Sequence, residues 1–408
     1  MTENEKGKIL ILKLNGRIFS ILINNNRILS IQIQSKPDNL SVVGSIHVGK
    51  VQTVSHNIGA AFIDIQKGET AFLPLKEEKD AVLTNRIPDG TIKTGDELLV
   101  QLVKEPAKTK LAGLSAGISL TGSYVIIEHR QGQPEGKIKI SSKLNAKHSH
   151  LYKNQHELNK IVEKFNIIVR TNAESADDIS QVVDEAKELA KEMERILEIG
   201  NKRTCFSCLH QAEPEYITFV KNSYCYEYDE IITDEKEIYD AFLANPNPTL
   251  KDCKIRFYED ELLPLYKLYS IETKISELTA KKVWLKSGAY LVIEQTEALI
   301  AIDVNTGKYE SRKAPEETYF KINLEAAEEI ALQLRARNLA GMILVDFINM
   351  SDKEHEEQLT LRMKELLKKD VVPANVVDIT GLGLMEITRK KKDKSFAEQY
   401  SGGLTQTK

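Results

Sequence analysis

The 408-residue sequence predicts a multidomain α+β protein, and three observations carry that prediction. A strand-helix-strand pattern occupies residues 297–350. Short apolar runs separated by turn residues fill 8–33 and again 44–103. A strongly helical stretch runs from 178 to 198. At about 150 residues per domain the length leaves room for two to four domains. A hydrophobic content of 41% with 28% charged residues is that of an ordinary soluble globular chain.

In chain order, the apolar runs 8–12, 17–23 and 28–33 are separated by Asn15-Gly16 and Asn24-Asn25-Asn26, the composition of a strand meander. Lys13 and Arg17 break the first run, no small-residue cleavage site follows it, and no apolar run reaches the roughly 18 residues of a spanning helix. The expectation is a cytoplasmic protein with no membrane span.

From 37 to 117 the short strands 44–51, 60–65, 70–74 and 97–103 read as a small β-barrel, with a hairpin turn at 66–69. Phe62 and Phe72 flank that hairpin. Two arrangements fit them: both rings in the barrel core, or both on one face as a stacking platform for single-stranded bases, with Lys50 and Lys110 as phosphate partners.

Strands at 122–127 and 167–174 precede the long helix. The stretch 203–283 is mixed, with Tyr224, Tyr226 and Phe257 among short apolar runs and no acidic catalytic set of its own. Cys205, Cys208, Cys225 and Cys253 are too few and too scattered for a disulfide framework. Cys205, Cys208 and His210 lack the second ligand pair that a structural zinc site requires.

Within 297–350, each strand is an apolar run ending near one carboxylate, Asp303 or Asp346. Between them Ile322, Ala326, Ala327, Ile330, Ala331 and Leu334 recur at helical spacing. Strands of this kind are expected inside a sheet covered on both faces, where a lone carboxylate is costly unless its charge is compensated. Two such carboxylates on one rim, with Asn305 nearby, make an all-oxygen site suited to a hard cation such as magnesium. Asp followed by Asn-Thr-Gly is also ordinary turn chemistry, so the residues alone leave both readings open. Ser351-Asp352-Lys353-Glu354 then has the form of a capping box opening a helix through Leu367. Strand-like 375–379, the stretch 383–390 and the basic cluster 391–394 follow. The net charge of −4 argues against a uniformly basic nucleic-acid-binding surface and leaves any phosphate contact to local basic patches.

Residues 298–307, the helix 323–335 and Val345-Asp346-Phe347-Ile348 resemble the catalytic core of the ribonuclease E/G family. That resemblance implies a magnesium-dependent endoribonuclease leaving 5′-phosphate and 3′-hydroxyl ends. Asp303 and Asp346 would be the metal ligands, and Asn305 would support one of them. It further implies a ribonuclease-H-like domain in two parts, 1–36 and 203–285. Between these parts would lie an OB-fold RNA-binding domain (37–117) and a 5′-sensor region (118–202). A DNase-I-like α/β catalytic domain (286–394) and a flexible tail (395–408) would follow. In the sensor, Arg170, Thr171 and the backbone amide of Ile126 would hold a terminal monophosphate, for which a guanidinium fork and a hydroxyl are apt. The resemblance favours the stacking arrangement for Phe62 and Phe72.

The partner expected is single-stranded RNA, as ribosomal RNA precursors or mRNA, in processing or decay. The family's larger members share a zinc ion between subunits through a C-x-x-C motif and carry a further small domain. Neither follows the stretch 383–394 before Lys408, so a zinc-linked assembly is not expected and a homodimer stays open. The competing reading is a non-catalytic RNA- or ribosome-binding protein.

Overall fold

The computed structural model describes residues 6–34, 42–106, 110–131, 136–176, 178–223, 228–244, 253–307, 315–391 and 394–402. Tyr224 and Tyr226, and Lys392 and Asp393 of the basic cluster, lie outside them. The described residues form two compact units: one takes 6–34 and the chain from 222 onward, the other the intervening 42–221.

The first unit holds two sheets. In one, β1 (Gly7–Leu14), β2 (Arg17–Asn24) and β3 (Arg27–Ile33) form the expected antiparallel meander. Its turns place Asn15, Asn25 and Asn26 at positive φ, which asparagine tolerates better than most residues. β14 (Tyr228–Thr233) adds parallel to β1 and β15 (Lys254–Phe257) parallel to β14, giving the order β15-β14-β1-β2-β3. Helices α5 (Lys236–Ala244), α6 (Leu265–Leu268) and α7 (Ile271–Thr279) accompany this sheet. One of its cores includes Leu10, Phe19, Ile232, Leu265 and Ile275.

The second sheet has the order β16 (Lys282–Trp284), β17 (Tyr290–Gln295), β18 (Leu299–Asn305), β19 (Gly341–Asp346), β21 (Leu384–Arg389), β20 (Ala374–Ile379). Between β18 and β19 runs α8 (Pro315–Ala336), and its apolar positions Ile322, Ala326, Ala327, Ile330, Ala331 and Leu334 are all buried, as their helical spacing predicts. α9 (Lys353–Lys368) packs into the same core through Leu359, Met363 and Leu367.

The expectation of a sheet covered on both faces is corrected here. Ile300, Ile302 and Val304 alternate inward, whereas Ala301 and Asp303 are exposed; Ile343 and Val345 are buried while Met342 is 57% exposed. The sheet has one packed face and one open face, the period-2 pattern of a half-solvated sheet. A second correction concerns α9: its N-cap is Asp352, whose side chain accepts from the Glu354 amide, not Ser351. Glu316 instead accepts from the Ser351 and Asp352 amides, at 2.9 and 3.1 Å.

A third lies at the carboxyl end. Residues 396–402, expected within a flexible tail, form α10 (Phe396–Gly402), and Phe396 is 2% exposed in the core beside β1–β3.

In the second unit, β4 (Ile46–Ser55), β5 (Ala60–Gln66), β6 (Glu69–Pro74), β8 (Ala112–Ser115) and β7 (Glu97–Lys104) pair in that order, and β7 pairs back to β4, closing a five-stranded barrel consistent with an OB-fold. The sequence reading missed β8, a four-residue strand containing Gly113. Gly49 permits the close approach of strands inside the barrel: a Cβ there would lie 2.6 Å from Ile63 Cγ2. β13 (Cys208–His210) pairs with β4, so residues 203–221, including α4 through Lys221 (Glu215–Asn222), belong with this unit and not with the segment that follows. The remaining sheet is β11 (Ile138–Ile140), β12 (Asn166–Val169), β10 (Val125–His129), β9 (Ile118–Thr121). It packs with α1 (Ala146–Lys153), α2 (His156–Val162) and the 22-residue α3 (Ile179–Gly200), whose Val182, Ala186, Met193 and Ile196 are buried.

Candidate functional site

β18 and β19 are parallel neighbours, and their register sets Asp303 directly opposite Asp346. Adjacent strands stand about 4.8 Å apart, so the two carboxylates rise side by side from the open face near the carboxyl ends of their strands. Both side chains are exposed. Asn305, two residues on and therefore on the same face, donates from Nδ2 to Asp303 Oδ2 at 2.6 Å. One carboxylate oxygen is thereby oriented by an amide.

The scaffold that holds these strand ends was not legible in the sequence. Asn323 is fully buried in α8 and clamps the chain just after Asp346: its Oδ1 accepts from the Ile348 amide at 3.0 Å and its Nδ2 donates to the Ile348 carbonyl at 2.8 Å. Glu325 Oε1 accepts from the Lys286 amide at 2.7 Å, fixing the turn between β16 and β17. Gly307, at φ +67°, passes so close to that turn that a Cβ would lie 2.4 Å from the Gly288 carbonyl oxygen. Only glycine fits there without displacing backbone.

The donor set at the sheet is two carboxylates with a supporting amide. Among the described residues no group of three or more His, Cys, Asp or Glu side chains converges as a metal cage. Two carboxylates with water and phosphate completing the shell is the way magnesium is ordinarily held, so the residues present fit that ion.

The second unit carries the other expected residues. Phe62 and Phe72 are cross-strand partners, their centroids 6.4 Å apart and their planes at 78°. Both are half-buried, while the barrel interior is filled by Ala61, Ile63, Ala71 and Leu73. The phenylalanines therefore stand outside the barrel core. Phe72 pairs with Gly113, and Gly113 with Lys104, so an exposed lysine lies beyond the rings across a strand with no side chain. Lys104 escaped the sequence reading because its proximity depends on β8. Lys110 is exposed, ahead of β8. Lys50 is set opposite Asp64 on one strand and Glu97 on another, a position of compensated charge.

Arg170 follows β12 and donates to the Gly122 and Ser123 carbonyls ahead of β10. Asn172 also donates to the Ser123 carbonyl, at 3.1 Å, which turns the chain into a short 3-10 helix from Thr171 rather than the extended strand expected through 174. The Thr171 hydroxyl shares a hydrogen bond of 2.7 Å with Ser141. Ile126 pairs with Thr121 on one side and Ile168 on the other, in the middle of the sheet. Beside it, Glu185 accepts from the amides of Ser123, Tyr124 and Val125 at 2.6, 2.7 and 3.0 Å, a contact no local sequence pattern announces.

The model of the ribonuclease E/G family matches residues 119–392, more than half of the chain. The chain belongs to the ribonuclease E/G family. It is similar to ribonuclease G of Escherichia coli strain K12, at 30% identity over 375 residues, covering 87% of this chain and 74% of that protein. Ribonuclease G of Haemophilus influenzae is 31% identical over 380 residues, with the same shares. Ribonuclease E of Escherichia coli strain K12 is 30% identical over 390 residues, which is 92% of this chain and 36% of that protein. Membership of this family makes the chain an endoribonuclease. Among the described residues no helix is long and apolar enough to cross a membrane.

Proposed function

We propose that this ribonuclease E/G-family enzyme hydrolyses internal phosphodiesters of single-stranded RNA at Asp303 and Asp346, with magnesium, leaving 5′-phosphate and 3′-hydroxyl ends. The observation that carries this reading is the register match of the two carboxylates on the open sheet face. Asp303 and Asp346 would hold the ion, and Asn305 keeps the Asp303 carboxylate turned toward that position. When bound, magnesium supplies charge neutralisation at the phosphodiester and lowers the pKa of a coordinated water. An open face admits an extended strand without prior unfolding of the protein, which favours single-stranded substrates such as ribosomal RNA precursors or mRNA in the cytoplasm.

The outer rings Phe62 and Phe72, with Lys104 and Lys110, would grip single-stranded RNA by stacking and charge. Arg170 and Thr171 would receive a 5′-monophosphate. The strand order β15-β14-β1-β2-β3, with β1 parallel to β14, supports a ribonuclease-H-like reading of the first sheet; the α8-backed sheet supports a DNase-I-like one.

The test is cleavage of a 5′-monophosphorylated A/U-rich RNA with and without magnesium. Asp303→Asn and Asp346→Asn should each abolish cutting while RNA affinity is largely kept. Retained cleavage in either variant refutes the site. For the sensor, Arg170→Ala should slow cleavage of monophosphorylated RNA and leave 5′-hydroxyl RNA nearly unaffected; equal losses on both would count against it.

A further inference from the structure

The open face that carries Asp303 and Asp346 continues onto β17 and β16, where three residues lack an assigned task. Across the sheet, the row containing Asp303 reads Lys282, Val292, Asp303, Asp346, Leu384. The next row reads Trp284, Tyr290, Asn305. Trp284 is 63% exposed, an unusual position for the largest apolar side chain in the sequence. Its ring meets Tyr290 edge-on, at 5.2 Å between centroids and 60° between planes. Lys282 Nζ sits 4.0 Å from the Trp284 centroid and 3.5 Å from the Tyr290 centroid. The cation and both rings thus form one cluster on β16 and β17, beside the strand that carries Asp303.

We propose that Trp284, with Tyr290 and Lys282, is a base-stacking subsite for a nucleotide flanking the cleaved phosphodiester of single-stranded RNA. The inference rests on the reading of Asp303 and Asp346 as the cleavage centre. Charge on the same face gives the strand a direction. On the opposite side of the aspartates the row reads Glu294, Ala301, Leu344, Glu386, Asp378; Glu294 is paired with Lys281 at 2.9 Å, and Glu386 and Asp378 disfavour phosphate there. Towards β16 the face offers a cation held over two rings and an exposed indole. An aromatic face beside a lysine binds any base by stacking and holds the adjoining phosphate by charge, which suits a nuclease of broad sequence tolerance.

Trp284 is the sole tryptophan in the chain, so its intrinsic fluorescence reports this subsite alone. The experiment titrates the full-length Asp303→Asn variant with a short, fluorescently labelled A/U-rich RNA, following tryptophan emission and label anisotropy together. Quenching should saturate at the RNA concentration at which anisotropy saturates. In the otherwise wild-type protein, Trp284→Ala should lower kcat/KM by roughly 5- to 150-fold, the range produced by losing one stacked base. That loss should be equal on 5′-monophosphorylated and 5′-hydroxyl RNA, and Trp284→Phe should restore most of it. RNA binding seen by anisotropy without quenching, or wild-type cleavage by Trp284→Ala, overturns the subsite. The two readings fail separately: cleavage retained by Asp303→Asn would refute the metal site, whereas a missing quench refutes only the stacking subsite.

Discussion

At the residue scale the carboxylates proposed to cut RNA, Asp303 and Asp346, are exposed, so the expected effect of their replacement is chemical. Asp303→Asn and Asp346→Asn should unfold in urea within about 0.5 kcal/mol of wild type, as surface substitutions usually do. Titration falls instead on two histidines of the second unit, His47 buried and His129 partly buried. Burial holds His47 and His129 below the ordinary imidazole value of 6.5. Their neutral forms therefore favour the folded state. The stability they contribute is fully present above pH 6.5 and is lost as pH falls from there through their folded-state pKa values. Urea midpoints should drop between pH 7.5 and pH 5.5, and His47→Gln should reduce that drop. Midpoints independent of pH across this window would contradict the assignment. The window lies above the ordinary carboxylate range, so Glu192 and Glu230, whose pKa values their arginine partners lower against the cost of burial, do not confuse the result.

At the element scale, the face of α8 was readable because each buried side chain follows from one local period. The capping of α9 was misread because Glu316, far away in sequence, supplies the acceptor that the local pattern assigned to Glu354. A similar non-local contact ties β21 to the end of α9. Arg389 and Asp370 form an ion pair at 2.8 Å with both side chains 3% exposed, and Arg389 also donates to Asn338 and the Leu339 carbonyl. Removing one partner leaves a buried charge uncompensated, so Asp370→Ala should cost about 3–5 kcal/mol. Chemical denaturation would measure it, and a loss below about 1 kcal/mol would show that Arg389 finds water or another acceptor. The site strands depend on this anchoring, because β19 lies between β18 and β21.

At the scale of the whole molecule, each unit has its own hydrophobic cores: those around α8 and around β1–β3 in one, and those of the barrel and of the α3-backed sheet in the other. Chains built this way depart from two-state unfolding. Differential scanning calorimetry should give a calorimetric enthalpy above the van't Hoff value, or two resolved transitions. A single transition with equal enthalpies would mean the units unfold as one.

The sequence by itself determined the local elements: the meander at 8–33, the helices read at 178–198 and 323–335, and the strands bearing Asp303 and Asp346. Local periodicity and turn chemistry act over a few residues, and those residues are adjacent in the chain. It also carried the family motifs. Tertiary structure decided everything that depends on register and on which face is covered. It placed Asp303 against Asp346, left their sheet face open, and put Phe62 and Phe72 outside the barrel core. It also brought Lys104 across Gly113 to the rings and set Trp284 in the row of Asn305. A strand's alternation is compatible with either face being buried, and a cross-strand neighbour is chosen by pairing between distant segments. Those choices are made by the packing of the whole sheet, which no local window contains.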